Sequence, residues 1–577
     1  MATLAMHYLK DALKADLTST AGSVAILAVT LHWFVFRVIA VENHLAPLLW
    51  FYVVAISGVG YAYLTLANFS ILQTLIRLAV VTTSFNASLI LSIAVYRLFF
   101  HRIRRFPGPF WSKLSRFPDV ALAAKEVRYY REVAKMRETY GDFIRTGPRE
   151  ICIVRKSAVP LIYGPQSQCL KTTWYAQVSP NPKKCSIHMT RDFDDHRKRR
   201  KAWDRGFSIK ALATYEPRIK AKVDSFVSQI QVNEHKPLDA TAWSMFLSFD
   251  IMGEVGFGKD FNNLSTGKEN PAIRAIHEHM TVLSVLSHVP WLLYLISSIP
   301  GATAAYADFF RWCGNEIDLK QKTWNPEEYP QDIVSWLLKS YVEKDISASP
   351  SLESLHEDSR VVIIAGRYVY SICFFSDTDS TSETTATTLA SIFFYLAKYP
   401  STLKKLQHLL DQAMPGGAAD WSYEKAKSVT FIDDIINETL RLKPALLTGG
   451  YRCTPAQGLQ VDDVYIPGDI NVFVPVQLIQ TDERYYANAQ EFIPERWGER
   501  KDEMATGDAP FFPFSLGAYS CPGKNLALQS LRIAISVIAQ QYNVAFAENE
   551  TGDDFDKNAL DTFTTTLPPL QVQFSRR

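Results

Sequence analysis

Residues 514–523 read Phe514-Ser515-Leu516-Gly517-Ala518-Tyr519-Ser520-Cys521-Pro522-Gly523, a cysteine between two glycines just before a predicted helix at 526–542. A thiolate needs stabilisation before it can act as a metal ligand. Backbone N–H groups at a helix N-terminus supply it and lower the thiol pKa. Gly517 and Gly523 let the backbone pass close to a flat group. Together these features suit an axial thiolate to heme iron. Taken alone, the loop suits a small core cysteine beside a helix start equally well.

Two upstream segments change that balance. Glu438-Thr439-Leu440-Arg441 puts an acid and a base on one helix face. Phe492-Ile493-Pro494-Glu495-Arg496-Trp497 supplies a second arginine that could close a three-member ion pair. A lone ExxR is common, and as a surface pair it contributes little. ExxR, then PERW, then FxxGxxxCxG, in that order and spacing, is uncommon.

In these segments the chain resembles the membrane-bound cytochrome P450 family, most closely its fungal members, over about residues 105 to 570. The resemblance implies a heme b cofactor with Cys521 as the metal ligand, Phe514 near the sulfur, and a buried triad of Glu438, Arg441 and Arg496 supporting the loop. It also makes the helix around His196 the one that reaches the heme propionates. On a helix His196, Arg200 and Trp203 share a face, so two donors and an indole can point at one carboxylate edge. Arg197, Lys198 and Lys201 better fit a solvated face, or one turned to an acidic reductase. Arg452 stands where the family often has another propionate arginine. Tyr519 stands where it most often has Arg or His. A phenol donates one hydrogen bond and brings no charge, so the propionates are expected to lean on His196, Arg200 and Arg452.

The elements that position these residues are written in the rest of the chain. Its 577 residues are 47% hydrophobic and 21% charged, as in a globular body, and a net charge of +2 gives no case for nucleic acid. Seven cysteines at 152, 169, 185, 313, 373, 453 and 521 show no CxxC spacing, which argues against a disulfide framework and a structural zinc site. Apolar runs at 23–41, 45–67 and 78–100 are each long enough to cross a bilayer. The basic cluster His101-Arg102-Ile103-Arg104-Arg105 after the third run should face the cytosol. The expected organisation is a membrane region at 1–104, a proline hinge at 105–110 and a heme-thiolate catalytic domain at 111–577. Its fold class is mainly α with small β-sheets, preceded by two or three transmembrane helices. Strand-like spacing covers 451–476, with a turn at Ile466-Pro467-Gly468-Asp469. Gly253-Glu254-Val255-Gly256-Phe257-Gly258 lacks the preceding strand that a phosphate loop needs. His277-Glu278-His279 is not a metal-binding HExxH, since those histidines point to different helix faces.

One stretch breaks the pattern. In the family a long helix over the heme carries Ala-Gly-x-acid-Thr-Thr/Ser, where the small pair leaves room for dioxygen and the acid and alcohol pass protons to it. Here Ala365-Gly366 and Ser382-Glu383-Thr384-Thr385-Ala386 match two halves of that motif, separated by residues 367–381. As helix, an insert of this length would add roughly 22 Å and rotate the downstream half by about 60°. It must therefore loop out, replace the motif, or be absent from the active protein. The sequence-level hypothesis is a retained intron. Arg367-Tyr368-Val369 can encode the common intron start GTAYGT, and Thr381-Ser382 can encode an AG acceptor. Excision would leave VVIIAGSETTATTLA, with Glu383 and Thr384 as the catalytic proton-delivering pair. Asp377-Thr378 could stand in as acid and alcohol, but no Ala-Gly precedes it.

The expected activity is that of a monooxygenase. It would use O2 and electrons from an NADPH-cytochrome P450 reductase to oxidise a lipophilic small molecule, in a fungal secondary-metabolite pathway. The membrane would be the endoplasmic reticulum, with the catalytic domain in the cytosol. Substrate would touch the segment before His196, the run 280–299, Leu446 to Gly450 and Phe563 to Thr565. The alternative is a membrane-anchored heme-thiolate protein without monooxygenase activity, isomerase-like or inactivated by the insertion.

Overall fold

The computed structural model describes residues 10–39, 41–177, 181, 184–268, 284–297, 299, 304–364, 384–504, 506–562 and 564–577. The chain divides into two compact units, Met1–Ser115 and Arg116–Arg577.

The first unit holds three helices long and apolar enough to cross a membrane, spanning Leu17–Phe36, Leu45–Thr65 and Ile71–Phe100. Helix α1 (Leu17–Leu31) starts earlier than its apolar run because the Asp16 carboxylate accepts from the Thr18 and Ser19 N–H groups at 2.9 Å. Helix α2 is Leu45–Thr65. Helix α3 (Ile71–Val95) also starts early. Ser70 and Gln73 form a reciprocal capping box, and the polar Gln73, Thr74 and Arg77 of its first turns hide that start from a hydropathy reading. Arg77 lies 4.3 Å from the Phe69 ring and donates to the Ala15 carbonyl at 2.8 Å. The faces of these helices stay bare, with Phe34, Trp50 and Phe51 each more than 70% exposed. A bilayer is the solvent that suits such surface.

The second unit is mainly helical. Its site-bearing helices are α4 (Phe193–Gly206), α5 (Ile209–Val232), α6 (Ala240–Met252), α7 (Leu352–Ile364), α8 (Thr384–Lys398), α9 (Phe431–Leu442) and α10 (Lys524–Gln541). Helix α6 is buried on nearly every side and packs against both α7 and α8. The glycine-rich stretch after α6 is a π-turn, Gly253–Phe257, at which a side chain on Gly256 would come within 2.8 Å of Val362. That glycine serves close packing against α7. The Asp358 carboxylate pins α7 to α4, accepting from Arg199 at 2.6 Å, Ser349 at 2.8 Å and the Ile187 N–H at 2.7 Å.

The strands are β1 (Phe143–Gly147), β2 (Glu150–Ile153), β3 (Leu170–Lys171), β4 (Pro237–Asp239), β5 (Arg452–Cys453), β6 (Leu459–Val461), β7 (Val464–Ile466), β8 (Asn471–Phe473), β9 (Tyr542–Phe546), β10 (Leu560–Thr562), β11 (Thr564–Thr566) and β12 (Gln571–Arg576). They form one five-stranded sheet in the order β1-β2-β8-β5-β3, one three-stranded sheet β4-β12-β9, and the pairs β6-β7 and β10-β11. The expected turn at 466–469 joins β7 to β8, with Asp469 at a φ of +55°. The β3–β5 ladder is antiparallel and sets Lys171 directly opposite Arg452.

Candidate functional site

The cysteine loop is closed by its own backbone. The Cys521 N–H donates to the Phe514 carbonyl at 2.9 Å, and Ser520 donates to Gly517 at 3.1 Å. Gly517 has a φ of +61°, and a Cβ there would lie 2.5 Å from the Gly164 carbonyl oxygen, so only glycine fits. Gly523 caps α10 with ordinary dihedrals and has room for a Cβ, 3.6 Å from Phe207. Phe514 is half-buried against the main core. Arg200 holds the loop from α4, donating to the Ser520 carbonyl at 2.6 Å and to Asp204 at 2.7 Å. Cys521 keeps an exposed face, while the protein packed around the rest of it raises the thiol pKa. The Gly523 N–H, the Arg200 guanidinium and the Lys524 N–H oppose that rise.

Glu438, Arg441 and Arg496 form one network, all three fully buried. Arg441 grips Glu438 with two N–H donors at 2.9 Å each, and Arg496 adds a third at 2.9 Å. The Ile493 N–H at 2.9 Å and the Trp497 indole at 3.0 Å complete the carboxylate's partners. The arginines spend their other donors on the carbonyls of Gln480, Ala489, Glu491, Ala487 and Asn488. Gln480 then carries the network to the cysteine loop. Its amide donates to the Leu440 carbonyl at 3.1 Å and its oxygen accepts from the Phe512 N–H at 3.0 Å.

A third cluster surrounds Tyr519. Lys171 and Arg452 each lie 4.9 Å from the centre of its ring, and His196 meets it edge-on at 4.7 Å. Arg452 donates to the Tyr175 hydroxyl at 3.2 Å, and Lys171 donates to the carbonyls of Ile187 and His188 at 3.0 and 2.6 Å. Trp203 stacks on Phe207, which abuts Gly523. Burial, and then the charge of Lys171, pushes His196 down to about 2, so its imidazole is neutral at physiological pH. Burial, and then Arg452, lowers the Lys171 ammonium as well. Among the described residues no carboxylate pairs with Lys171 or Arg452. Three buried donors there have no hydrogen-bond partner: Arg452 Nε, Trp203 Nε1 and Tyr519 Oη. Stranded cations and orphan donors beside an open thiol fit the doubly anionic edge and the iron of a heme. Of the three α4 residues expected to face that edge, Arg200 is instead occupied by the cysteine loop.

Thr384 opens α8, half-buried, and its carbonyl accepts from the hydroxyls of Thr387 at 3.1 Å and Thr388 at 2.7 Å. Glu383, Ala365, Gly366, the insert 367–381, Phe563, His277, His279 and Cys373 lie outside the described residues. Thr565 fixes the β10–β11 hairpin to residues 444–445, its N–H donating to Ala445 at 2.9 Å and its hydroxyl to Pro444 at 2.8 Å. Thr448 donates to the Asp561 carboxylate, which burial pushes up to about 6. Sequence reasoning missed Lys171, Tyr175, Gln480 and Asp561. Lys171 carries no local signal, because only strand register sets it opposite Arg452.

Comparison with known proteins shows the family. A family model described as Cytochrome P450 matches residues 120–574. Cytochrome P450 monooxygenase FCK2 of Fusarium pseudograminearum (strain CS3096) is 35% identical over 96% of this chain and 97% of its own length. Cytochrome P450 monooxygenase orf5 of Eupenicillium brefeldianum is 37% identical over 85% of this chain and 94% of its own. Tryprostatin B 6-hydroxylase of Aspergillus fumigatus is 28% identical over 98% and 97%. The fold is shared with a crystal structure of a cytochrome P450, CYP102L1, at a TM-score of 0.62 and 19% identity, covering 78% of this chain and 94% of that one.

Proposed function

The chain belongs to the cytochrome P450 family and is an oxidoreductase of the monooxygenase kind, and from that premise we propose that it oxidises a lipophilic small molecule in a fungal secondary-metabolite pathway. The electrons come from NADPH through a cytochrome P450 reductase. The reading draws its main support from one place in the fold, where the loop of the exposed Cys521 brings Tyr519 to the buried Lys171 and Arg452, with which no carboxylate among the described residues pairs. Bound heme would supply the iron at which dioxygen is activated.

The protein's own residues have separable tasks. Cys521 donates the thiolate, and Arg200 and Gly517 hold its loop in place. The Glu438 network fixes the segments that lead into that loop. Arg452, Trp203, Tyr519 and the neutral His196 supply donors to the propionates. Glu383 and Thr384 would deliver protons to bound dioxygen, once the two halves of their motif are joined. Arg197, Lys198 and Lys201 offer positive charge to the reductase. The three N-terminal spans anchor the chain in the endoplasmic reticulum, and the basic cluster after the third holds the catalytic unit on the cytosolic side.

Helix α7, which ends at Ile364, and helix α8, which starts at Thr384, both pack on α6. We read the active protein as lacking residues 367–381, because only then do Ala365-Gly366 and Ser382-Glu383-Thr384 adjoin in one motif. The test compares the full chain with a form lacking those residues, by the reduced carbon-monoxide spectrum and by NADPH-dependent product formation with reductase. The expected result is that only the shorter form turns over. A full chain that turns over equally well refutes the retained-intron reading. If neither form gives the thiolate-heme band, Cys521 is not the iron ligand. A thiolate-heme band without turnover in both forms favours the alternative, a heme-thiolate protein that does not oxygenate.

A further inference from the structure

Lys171 and Arg452 are direct cross-strand neighbours and both are buried. Like charges facing each other across a ladder oppose pairing, and buried cations without an acid are costly. The fold nevertheless brings both over one ring, Tyr519, each 4.9 Å from its centre. Cation–π attraction offsets part of the repulsion, but a ring carries no net charge to neutralise two cations. A bound anion is the compensation that would keep both groups charged. A cation at residue 519 would put a third positive group into the same few ångströms.

We propose that Lys171 supplies the propionate-binding charge that residue 519 does not, and that Tyr519 is the platform that lets Lys171 and Arg452 sit side by side. The proposal rests on the heme-binding reading above. Lys171 commits two of its three N–H donors to the Ile187 and His188 carbonyls, which leaves one, and Arg452 keeps Nε. Position 171 carries the positive charge and position 519 the ring, so the two positions should compensate for each other.

The test follows heme transfer to excess apomyoglobin, by absorbance, from the purified full chain and from the form lacking residues 367–381, alongside the unfolding midpoint of each heme-free protein. Lys171→Gln should speed heme loss about ten- to a hundredfold, the range for a lost charged hydrogen bond. Lys171→Arg should stay near wild type. Adding Tyr519→Arg to Lys171→Gln should restore slow release. The proposal is overturned if Lys171→Gln leaves heme release unchanged. It is also overturned if heme loss follows the heme-free unfolding midpoint and Tyr519→Arg restores nothing, because Lys171 would then only tie down the Ile187 and His188 carbonyls. A parent chain that takes up no heme either with or without residues 367–381 refutes the heme-binding reading itself, a result distinct from a heme-loaded parent whose variants do not differ.

Discussion

Replacing Glu438 by Gln keeps the side chain's shape and removes its charge. The carboxylate accepts from Arg441 twice and from Arg496, Trp497 and the Ile493 N–H once each, all between 2.9 and 3.0 Å. An amide presents two donors toward these donors and leaves two guanidinium groups, each 0% exposed, without a counter-charge. Removing one partner of a buried ion pair costs about 3–5 kcal/mol. Here two arginines lose the same partner, so we expect the upper part of that range. Tenfold in equilibrium is about 1.4 kcal/mol, so the folding equilibrium constant falls by roughly three orders of magnitude. That is a large part of the ~5–15 kcal/mol that holds a domain together. Urea unfolding followed by tryptophan fluorescence measures the loss. The reduced carbon-monoxide spectrum should disappear at lower urea than in wild type, because Gln480 ties this network to Phe512. Converting all three charged residues to apolar ones of similar size should recover part of the stability. A Glu438→Gln protein within about 1 kcal/mol of wild type, a surface-pair value, would refute the reasoning.

Two further outcomes are set by the geometry. Gly517→Ala meets both a left-handed φ of +61° and a carbonyl oxygen at 2.5 Å. Backbone strain alone costs about 1–3 kcal/mol, and heme retention should fall more than global stability because the strain sits in the cysteine loop; unchanged retention argues against it. Asp561 has its folded pKa raised from 3.8 to about 6 by burial. Its contribution to stability is therefore full below pH 3.8 and lost as pH rises through about 6. At about 1.36 kcal/mol per unit, the shift sets an upper bound of about 3 kcal/mol. Asp561→Asn should accordingly gain stability relative to wild type between about pH 4 and 7, read as urea midpoints, and a flat difference across that range counts against it.

Much of this protein is legible locally. Three apolar runs of bilayer length, the ExxR and PERW pairs, and a cysteine between glycines at a helix start are written in adjacent residues, so period and spacing reveal them. Helix starts set by capping are less visible, because Asp16 and the Ser70–Gln73 box act through polar residues that a hydropathy reading discounts. Register is not legible at all. Nothing near Lys171 announces that β3 will set it against Arg452, and nothing near Gln480 that it will join Arg441 to Phe512. The sequence alone determined which side chains are the candidates for this chemistry, since a loop cysteine, an ExxR pair with a second arginine and an acid–alcohol pair are set by residue types at short spacings. Only the tertiary structure decided which cations surround Tyr519 and that Arg200 serves the loop, because those contacts join segments from 67 to more than 300 residues apart and depend on how strands and helices pack.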